Sequence, residues 1–591
     1  MTRRSAALSA MMIVCAGLSA VVAGGAGAQH VAVSVQVSSD RQFVPLQSYV
    51  QGEVDGKLLF FCGLSDMGLH VFGQGAFPAK NFSRQIVMVD RATGAVTTGT
   101  TDHLPLATRQ AMTVTAPTAV QYGSILYMYG GYGPDLENPG DYFTRALCTA
   151  IDLVQVKNAL QASQPVPASA FTHTECVAGK VAGAGIVKLG DRFALICGAD
   201  ADGEYGSAPD PEYTNVVQIF DRNVSYVNPV ETLDDGQGFF SPMHRRDVNV
   251  LPVRMPVDRA GFVVVCGAFE SGIFLYENPL IWGEGDAVPY EDNEFIQHIG
   301  GYEGPIASLY SASHDRNHLL IFSGLSGYEY IDNEFVWNPA APWTRQIVNL
   351  HVDGGVFARE LVLGEMPWPL TNAKLVLENT LPKTTDGQVL VDQLPFGQPI
   401  LLGRIYGGIA AEKQGSVSPT YASDAVLDVY VTVTPEGPVE VRPSAFSRVR
   451  GLHVSGGLSD LLQSDDLRLV TRPDVFRTSA VPPVQIQVVG TSPLQNPSEI
   501  KFTVESRASA NNISQRVRLF NYDTQKWEQV DARTMPLSDT TIVVTISTDP
   551  ARFIDDATGE MKALLQYNAL AFTIAPIWQA GQDLTMWTIV P

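Results

Sequence analysis

The chain has 591 residues, more than one ordinary domain holds, so two or more domains are expected. Hydrophobic residues make up 45% of it and charged residues 17%, a balance that excludes a mainly disordered chain. The formal net charge of −22 argues against nucleic acid and anionic lipid headgroups as partners, because such a surface repels them.

The N-terminus has the pattern of a secretory signal peptide, predicted to span residues 1–28. Arg3 and Arg4 supply a positive start, an uncharged apolar stretch follows, and an A-x-A motif ends at Ala28, before Gln29. We therefore expect a protein that is secreted, periplasmic or at the cell surface. We expect no transmembrane segment once the signal is removed.

One sequence unit then recurs six times: an apolar run, a small residue and a glycine. The six pairs are Cys62-Gly63, Gly130-Gly131, Cys197-Gly198, Cys266-Gly267, Ser323-Gly324 and Gly407-Gly408. The second glycines follow one another at steps of 57 to 84 residues. Each run is short, is rich in Val, Ile, Leu, Phe or Tyr and is bounded by turn residues, which predicts buried strands.

This pattern resembles the kelch repeat, in which a double glycine closes a hydrophobic strand of each propeller blade. The resemblance implies an all-β fold with a six-bladed kelch-like β-propeller over residues 29–435. It also implies that ligands bind at the loops after the glycines. Blades packed radially would bury both faces of every sheet, which one blade alone cannot do.

The cysteines follow the same repeat. Cys62, Cys197 and Cys266 each take the first position of a pair, so we expect them to be buried packing residues. Equivalent positions in different blades lie too far apart for a disulfide, which needs Cα atoms within about 7 Å. Cys148 and Cys176, which bracket one loop, are the only plausible pair.

The first strand after the signal is predicted to close the ring. Residues 31–37 read VAVSVQV, an alternation typical of a half-buried strand. The last repeat offers a strand at 425–434 but lacks an outermost one. We therefore predict that 31–37 pairs beside 425–434 and completes the sixth blade, which removes an exposed sheet edge.

Residues 436–591 are predicted to form a C-terminal β-sandwich-like domain of unassigned role. Alternating runs separated by Asn, Pro, Ser and Asp turns indicate about eight strands. The clearest runs are VPPVQIQVVG, EIKFTVESRA, QRVRLFNY, TIVVTIST and LTMWTIV.

Polar residues in the loops after the glycine pairs are the first ligand-binding candidates. They are Asp66, His70, Asp135, Asp200, Asp202, Glu204 and Glu270. Acidic loop residues also serve simply as solvated turn caps. Asp200, Asp202 and Glu204 alternate as in part of a calcium loop but lack the distal Glu of an EF-hand, so calcium is a minor alternative to having no cofactor.

His244, Arg245, Arg246 and Asp247 form the densest polar cluster of the sequence. An Arg pair beside His and Asp could hold a carboxylate or sugar acid, or could be a structural Arg–Asp pair between blades. Arg404 interrupts an apolar strand, where it could face a central channel or pair with an acid.

The function expected from these features is that of an exported binding or scaffold protein that recognises a glycan or a protein through the propeller loops. The alternative is a sugar-active enzyme similar to sialic acid mutarotases or galactose oxidase. The copper-ligand motifs of the latter are not matched, and HExxH, GxSxG and a phosphate loop are all missing from the sequence.

Overall fold

The computed structural model describes residues 31–591 except 72, 74, 208–209, 270–274, 417, 435–436, 475–480 and 571–577. The predicted signal peptide and its cleavage site lie outside these residues. The described chain divides into two compact units, Val31–Val433 and Thr434–Pro591. Strands dominate both, which confirms the all-β prediction. None of the described helices is long and apolar enough to cross a membrane.

The described part of the first unit contains six mainly antiparallel sheets, five of four strands and one of five. Strands are numbered along the chain, beginning with β1 (Val31–Val37). Sheet 1 comprises β2 (Val50–Val54), β3 (Lys57–Phe61), β4 (Gln85–Asp90) and β5 (Val96–Thr100). Sheet 2 comprises β6 (Thr118–Tyr122), β7 (Ile125–Tyr129), β10 (Leu147–Asp152) and β11 (Phe171–Glu175), with an inserted hairpin of β8 (Tyr132–Pro134) and β9 (Tyr142–Thr144).

The next sheets repeat this order. Sheet 3 comprises β12 (Gly185–Leu189), β13 (Arg192–Ile196), β16 (Val217–Asp221) and β17 (Glu231–Leu233), with a hairpin of β14 (Ala199–Asp200) and β15 (Glu212–Tyr213). Sheet 4 comprises β18 (Asn249–Met255), β19 (Arg259–Val265), β20 (Leu280–Gly283) and β21 (Tyr290–Glu291).

Sheets 5 and 6 complete the unit. Sheet 5 comprises β22 (Ile306–Ser311), β23 (Arg316–Leu325), β26 (Trp343–Asp353), β27 (Val356–Glu365) and the short parallel β30 (Val389–Leu390), with a hairpin of β24 (Tyr328–Ile331) and β25 (Glu334–Trp337). Sheet 6 comprises β29 (Lys374–Leu377), β31 (Ile400–Tyr406), β34 (Val426–Val433) and β1. A small separate sheet contains β28 (Leu370–Thr371), β32 (Ile409–Ala411) and β33 (Thr420–Ala422).

Helical segments are few. The two α-helices of the described chain are α1 (Leu106–Met112) and α2 (Leu153–Gln161). Asp152 caps α2 by accepting hydrogen bonds from the backbone of Val154 and Gln155. Single 3-10 turns occur at Ala79–Asn81, Ala168–Ala170, Val177–Gly179, Gly238–Phe240, Pro256–Asp258, Val391–Gln393, Ser459–Leu461 and Pro550–Phe553.

The glycine pairs follow the second strand of each sheet except sheet 5, where Ser323-Gly324 lies near the end of β23, and the backbone explains their composition. All six first positions have φ between 58° and 67°, and the second glycines have φ between 86° and 126°. A Cβ on Gly63 would lie 2.2 Å from the carbonyl oxygen of Gln47, and one on Gly408 would lie 2.6 Å from the Cβ of Ala373. The second position therefore requires glycine, whereas the first also accepts Cys or Ser.

The five cysteines of the described chain are all buried and unlinked. This confirms the prediction for Cys62, Cys197 and Cys266, whose backbones adopt the same left-handed conformation. Cys148 and Cys176, the pair that the sequence allowed, are also free thiols packed in one apolar cluster.

Six residues that precede the first strands of the sheets, here called the collar residues, share a second backbone feature. Their φ values lie between 40° and 65°, in the left-handed region. The collar residues are Ser48, Ala116, Gly183, Asp247, Glu303 and Asn372.

Backbone hydrogen bonds of the described chain join five of the six successive pairs of collar residues, all except Asp247 and Glu303. The N–H groups of Ala116, Gly183 and Asp247 each donate to the carbonyl of the collar residue before, over 3.3, 3.1 and 2.6 Å. Asn372 N donates to Glu303 O over 2.9 Å, and Ser48 N donates to Asn372 O over 3.1 Å. The last bond joins the residues that precede the first strands of sheets 1 and 6.

Strand β1 completes sheet 6 as the sequence predicted. It pairs antiparallel with β34, with Val31 opposite Val433 and Val37 opposite Leu427. Val31 is buried in the apolar cluster that includes Val431. The strand nearest the N-terminus therefore covers the edge that the last repeat leaves open.

The second unit is a two-sheet β-structure. One sheet contains β35 (Val439–Val441), β37 (Leu452–Ser455), β38 (Leu469–Arg472), β40 (Glu499–Ala508), β43 (Thr540–Ile546) and β45 (Ala580–Val590). The other contains β36 (Ala445–Arg450), β39 (Val484–Thr491), β41 (Ile513–Asn521), β42 (Lys526–Thr534) and β44 (Glu560–Ala569). Val504 and Trp587 of the first share one buried core with Ile486 and Leu565 of the second, as in a β-sandwich.

Candidate functional site

All six collar residues line one cavity of about 90 Å³ at the centre of the first unit. A cavity of this volume holds roughly six water molecules. Its polar lining comes mainly from the collar and from the residues next to it in the chain, so the backbone hydrogen bonds between collar residues also help to position these side chains.

Asp247 is the centre of one polar group in this cavity. Its Oδ2 accepts a hydrogen bond from the Tyr302 hydroxyl over 2.6 Å and lies 3.5 Å from Nε of Arg246. Burial and the negative charge of Asp247 raise the pKa of Tyr302 well above its ordinary value, so this hydroxyl stays protonated and donates. Burial opposes the charge of Arg246, but Asp247 and the nearby tyrosines leave its pKa raised.

Glu303 belongs to a second polar group. Burial, together with the negative charge of Asp247, raises the pKa of Glu303 to about 7, against a smaller opposing effect of Lys374. The Asn372 amide donates to Glu303 Oε2 and, over 2.9 Å, to Ser48 Oγ. The side-chain oxygen of Asn372 is buried and has no hydrogen-bond partner among the described residues, so it can accept a bond from a ligand.

Aromatic rings form one wall of the cavity. The rings of His70 and Phe77 lie 4.6 Å apart between centroids, and Tyr205 meets both of them edge-on at 4.9 and 5.4 Å. Nη2 of Arg246 donates to the Tyr205 hydroxyl over 3.3 Å. Burial lowers the pKa of His70, which favours its neutral form. The wall is therefore largely apolar but ends in a hydroxyl and a guanidinium group.

The structure separates the members of the His244–Asp247 cluster. Arg246 and Asp247 line the cavity, and His244 lies beyond it. The Arg245 guanidinium is fully buried, with Nη2 3.0 Å from Glu291 Oε1, and its Cζ lies 4.0 Å from the centroid of the Tyr276 ring. This arrangement favours a structural role for Arg245.

Arg404 lies within sheet 6 and does not line the cavity. Its Nε is 2.8 Å from Asp428 Oδ1, and its Nη1 is 2.7 Å from Glu378 Oε1. Glu378 also faces Arg91 of sheet 1 over 3.3 Å. Arg404 therefore belongs to a network of ion pairs where the sixth sheet meets the first.

The acidic loop residues that the structure describes lie outside the cavity, whereas His70 of the same set lines it. Asp66 and Asp202 are exposed. Asp135 accepts hydrogen bonds from the backbone N–H of Glu137 and the side chain of Asn138, the turn-capping arrangement named above as the alternative.

The residues considered for calcium have different partners. Asp200 Oδ2 is 2.7 Å from Nζ of Lys180, and Glu204 Oε1 accepts a bond from the backbone N–H of Gly75 over 2.8 Å. Glu270 lies outside the described residues. Among the residues that the structure describes, no three His, Cys, Asp or Glu side chains come together as a group that could hold a metal ion.

Sequence reasoning did not identify Tyr205, Tyr302, Glu303 or Asn372. The last two are collar residues, and the repeat held a spacing signal only for the first three collar positions. The collar residue stands 15 residues before the second glycine in the first three repeats, as Ser48 does before Gly63.

No protein-family model matches the chain, and no curated protein matches it in sequence. Solved structures similar to it include a mutant of Trypanosoma rangeli sialidase displaying trans-sialidase activity, at 7% identity and a TM-score of 0.32 over 96% of each chain. Another is exo-β-1,3-galactanase from Phanerochaete chrysosporium with galactose, at 10% identity and a TM-score of 0.22, covering 80% of this chain and 95% of that chain. Similarities of this size carry no conclusion about function.

Proposed function

We propose that the collar cavity binds a neutral, hydroxyl-rich ligand, namely one ring of a glycan. The carrying observation is that side chains with hydrogen-bond donors and side chains with acceptors line the same cavity as an aromatic wall. Arg246 and Tyr205 offer donors, and Asp247, Glu303 and the side-chain oxygen of Asn372 offer acceptors. Sugar hydroxyls both donate and accept, and the apolar face of a sugar ring can pack on aromatic carbons.

The charge of the site supports a neutral ligand. Asp247 offsets Arg246, and a Glu303 carboxyl with a pKa of about 7 is partly protonated near neutral pH. An ionic ligand would have to compete with the existing Arg246–Asp247 pair. The sugar acid considered from the sequence is less well supported, because Arg245 is already paired with Glu291.

We further propose that the six sheets are the blades of a closed, kelch-like β-propeller in an exported protein. The succession of collar hydrogen bonds and the pairing of β1 with β34 support closure of the ring. The predicted signal peptide supports export. In such an arrangement the collar cavity is the mouth of the central channel.

The test is binding of a monosaccharide panel, D-glucose, D-galactose and D-mannose, measured by calorimetry and by saturation-transfer NMR. We expect Asp247→Asn to weaken binding by about tenfold or more, because it removes the charge from a hydrogen-bonded carboxylate. Asp135→Asn is the matched control, since it makes the same change outside the cavity and should leave binding unchanged. Equal affinities of the two variants would contradict the proposal.

A second candidate function is acid–base catalysis on the same sugar ring. It is favoured by one observation: the two carboxyl groups have different surroundings, Asp247 beside Arg246 and Glu303 buried with a raised pKa. Protonated Glu303 could donate to the ring oxygen while Asp247 accepts the anomeric hydroxyl proton, so that the ring C–O bond breaks and the aldehyde forms.

This candidate is tested by the rate of anomer exchange in NMR with the same monosaccharides. The wild type should accelerate exchange, and Glu303→Gln should lose the acceleration while binding persists. If the wild type does not raise the exchange rate above that in buffer, the catalytic candidate is wrong and only the binding function remains.

A further inference from the structure

A row of aromatic side chains that ends in two strongly exposed phenylalanines begins next to the collar cavity. It consists of Tyr213, His244, Phe239 and Phe240 and is called the platform below. Phe239 is 66% exposed and Phe240 83% exposed. Two neighbouring phenylalanines this open to water are unusual in a folded protein, because burying them would be favourable.

The platform is continuous from ring to ring. Tyr213 and His244 stack with centroids 4.0 Å apart and planes 23° apart. His244 lies 4.7 Å from Phe239, which meets Phe240 edge-on at 5.6 Å. Burial lowers the pKa of His244, so the row carries no charge near neutral pH.

The platform also adjoins the cavity. Tyr213 pairs in its hairpin with Ala199, a residue that lines the cavity. The guanidinium of Arg246, another lining residue, lies 5.9 Å from the centroid of the Tyr213 ring. The Phe269 ring lies 5.3 Å from the same guanidinium, so a ligand that fills the cavity beside Arg246 has Phe269 and the platform as the aromatic surfaces just outside.

The loop that carries the phenylalanines is held by its own hydrogen bonds. Ser241 Oγ donates to Asp235 Oδ2 over 2.8 Å and accepts from Met243 N over 3.1 Å. His244 Nδ1 lies 2.9 Å from Asn215 Oδ1. The rings are thus positioned before a ligand arrives, which lowers the entropy lost on binding.

We infer that the platform is a subsite for the second and later rings of a linked, neutral glycan whose terminal ring occupies the collar cavity. This inference rests on the proposed function and adds the ligand class: an oligosaccharide rather than a free monosaccharide. Uncharged aromatic faces suit the apolar faces of sugar rings. The cavity itself has room for one ring at most.

The test compares D-glucose, D-galactose and D-mannose with their linear β-1,4-linked disaccharides and tetrasaccharides. For the wild type we expect a tetrasaccharide to bind at least tenfold more tightly than its monosaccharide. The double variant Phe239→Ala with Phe240→Ala should lose this gain and keep the monosaccharide affinity. Val257→Ala, at another strongly exposed apolar residue in the β18–β19 turn, is the control and should keep the gain.

Each contrary outcome overturns either the platform subsite or the cavity proposal. A double variant that keeps the gain overturns the subsite and leaves the cavity proposal standing. If the double variant instead changes only the sedimentation of the protein, the platform is a protein contact and the inference is wrong. If the wild type binds no saccharide of the panel, or if Asp247→Asn leaves monosaccharide binding intact, the proposed function fails, and in the first case the platform inference fails with it.

Discussion

Closure of the ring by β1 can be tested with two substitutions in the same strand. Val31 is 1% exposed and lies opposite Val433, whereas Val37 is 49% exposed at the other end of β1. Changing each to aspartate introduces the same charge in two different surroundings. Only Val31→Asp should destabilise the first unit, because only that side chain lies within a core.

The magnitude follows from burial. Val31→Asp loses about 2 kcal/mol of apolar transfer free energy. Holding a buried aspartate neutral at pH 7, about three pH units above its usual pKa, costs about 4 kcal/mol more. The sum of about 6 kcal/mol is comparable to the whole stability of many domains. Val37→Asp should change the free energy of unfolding by less than about 0.5 kcal/mol.

The assay is urea denaturation of the chain without residues 1–28, followed by fluorescence and by hydrogen exchange of the segment that contains β34. We expect Val31→Asp to lower the unfolding midpoint and to speed exchange in β34, where the amides lose their partner strand. If both variants unfold at the wild-type midpoint, or if β34 exchanges at the wild-type rate in Val31→Asp, β1 does not complete sheet 6 and the closure is wrong.

Two more predictions concern buried titratable groups. Burial raises the pKa of Cys197 to about 12 and that of Cys266 to about 11. Neither thiol should therefore react with a disulfide reagent at pH 8 until guanidinium unfolds the protein. Rapid labelling of either cysteine in the native protein would contradict its burial. Folding raises the pKa of the Glu303 carboxyl from about 4.3 in the unfolded chain to about 7. Ionisation of Glu303 therefore does not affect the free energy of unfolding below about pH 4.3, and it lowers this free energy increasingly as the pH rises to about 7. Glu303→Gln should therefore gain stability over the wild type across this range, by up to about 3 kcal/mol, and parallel stability–pH curves would refute the assignment.

The glycine pairs show which parts of the fold a local sequence pattern can predict. The second glycine needs a positive φ and space that no Cβ can share, so its position is marked in the sequence by residue type alone. The strand before it is marked by an apolar run. For the same reason the sequence predicted β1 and most of the C-terminal strands, including Glu499–Ala508, whose bounds match the predicted run.

The cavity was less predictable because its residues come from six separate sheets. The collar spacing of 15 residues before the second glycine fails in the later repeats, where longer strands and loops extend it to 20, 21 and 36 residues for Asp247, Glu303 and Asn372. These three side chains meet only in the folded structure, where all six collar residues line one cavity.

By itself the sequence determined the all-β class, the strand that completes sheet 6 and the unlinked cysteines of the glycine pairs. Each of these depends on local patterning, since backbone sterics and the burial of short apolar runs act on neighbouring residues. Only the tertiary structure decided which polar side chains share a site. Arg245 and Arg246 are adjacent in the chain, yet one is buried against Glu291 and the other lines the cavity, because successive side chains of an extended segment point to opposite sides.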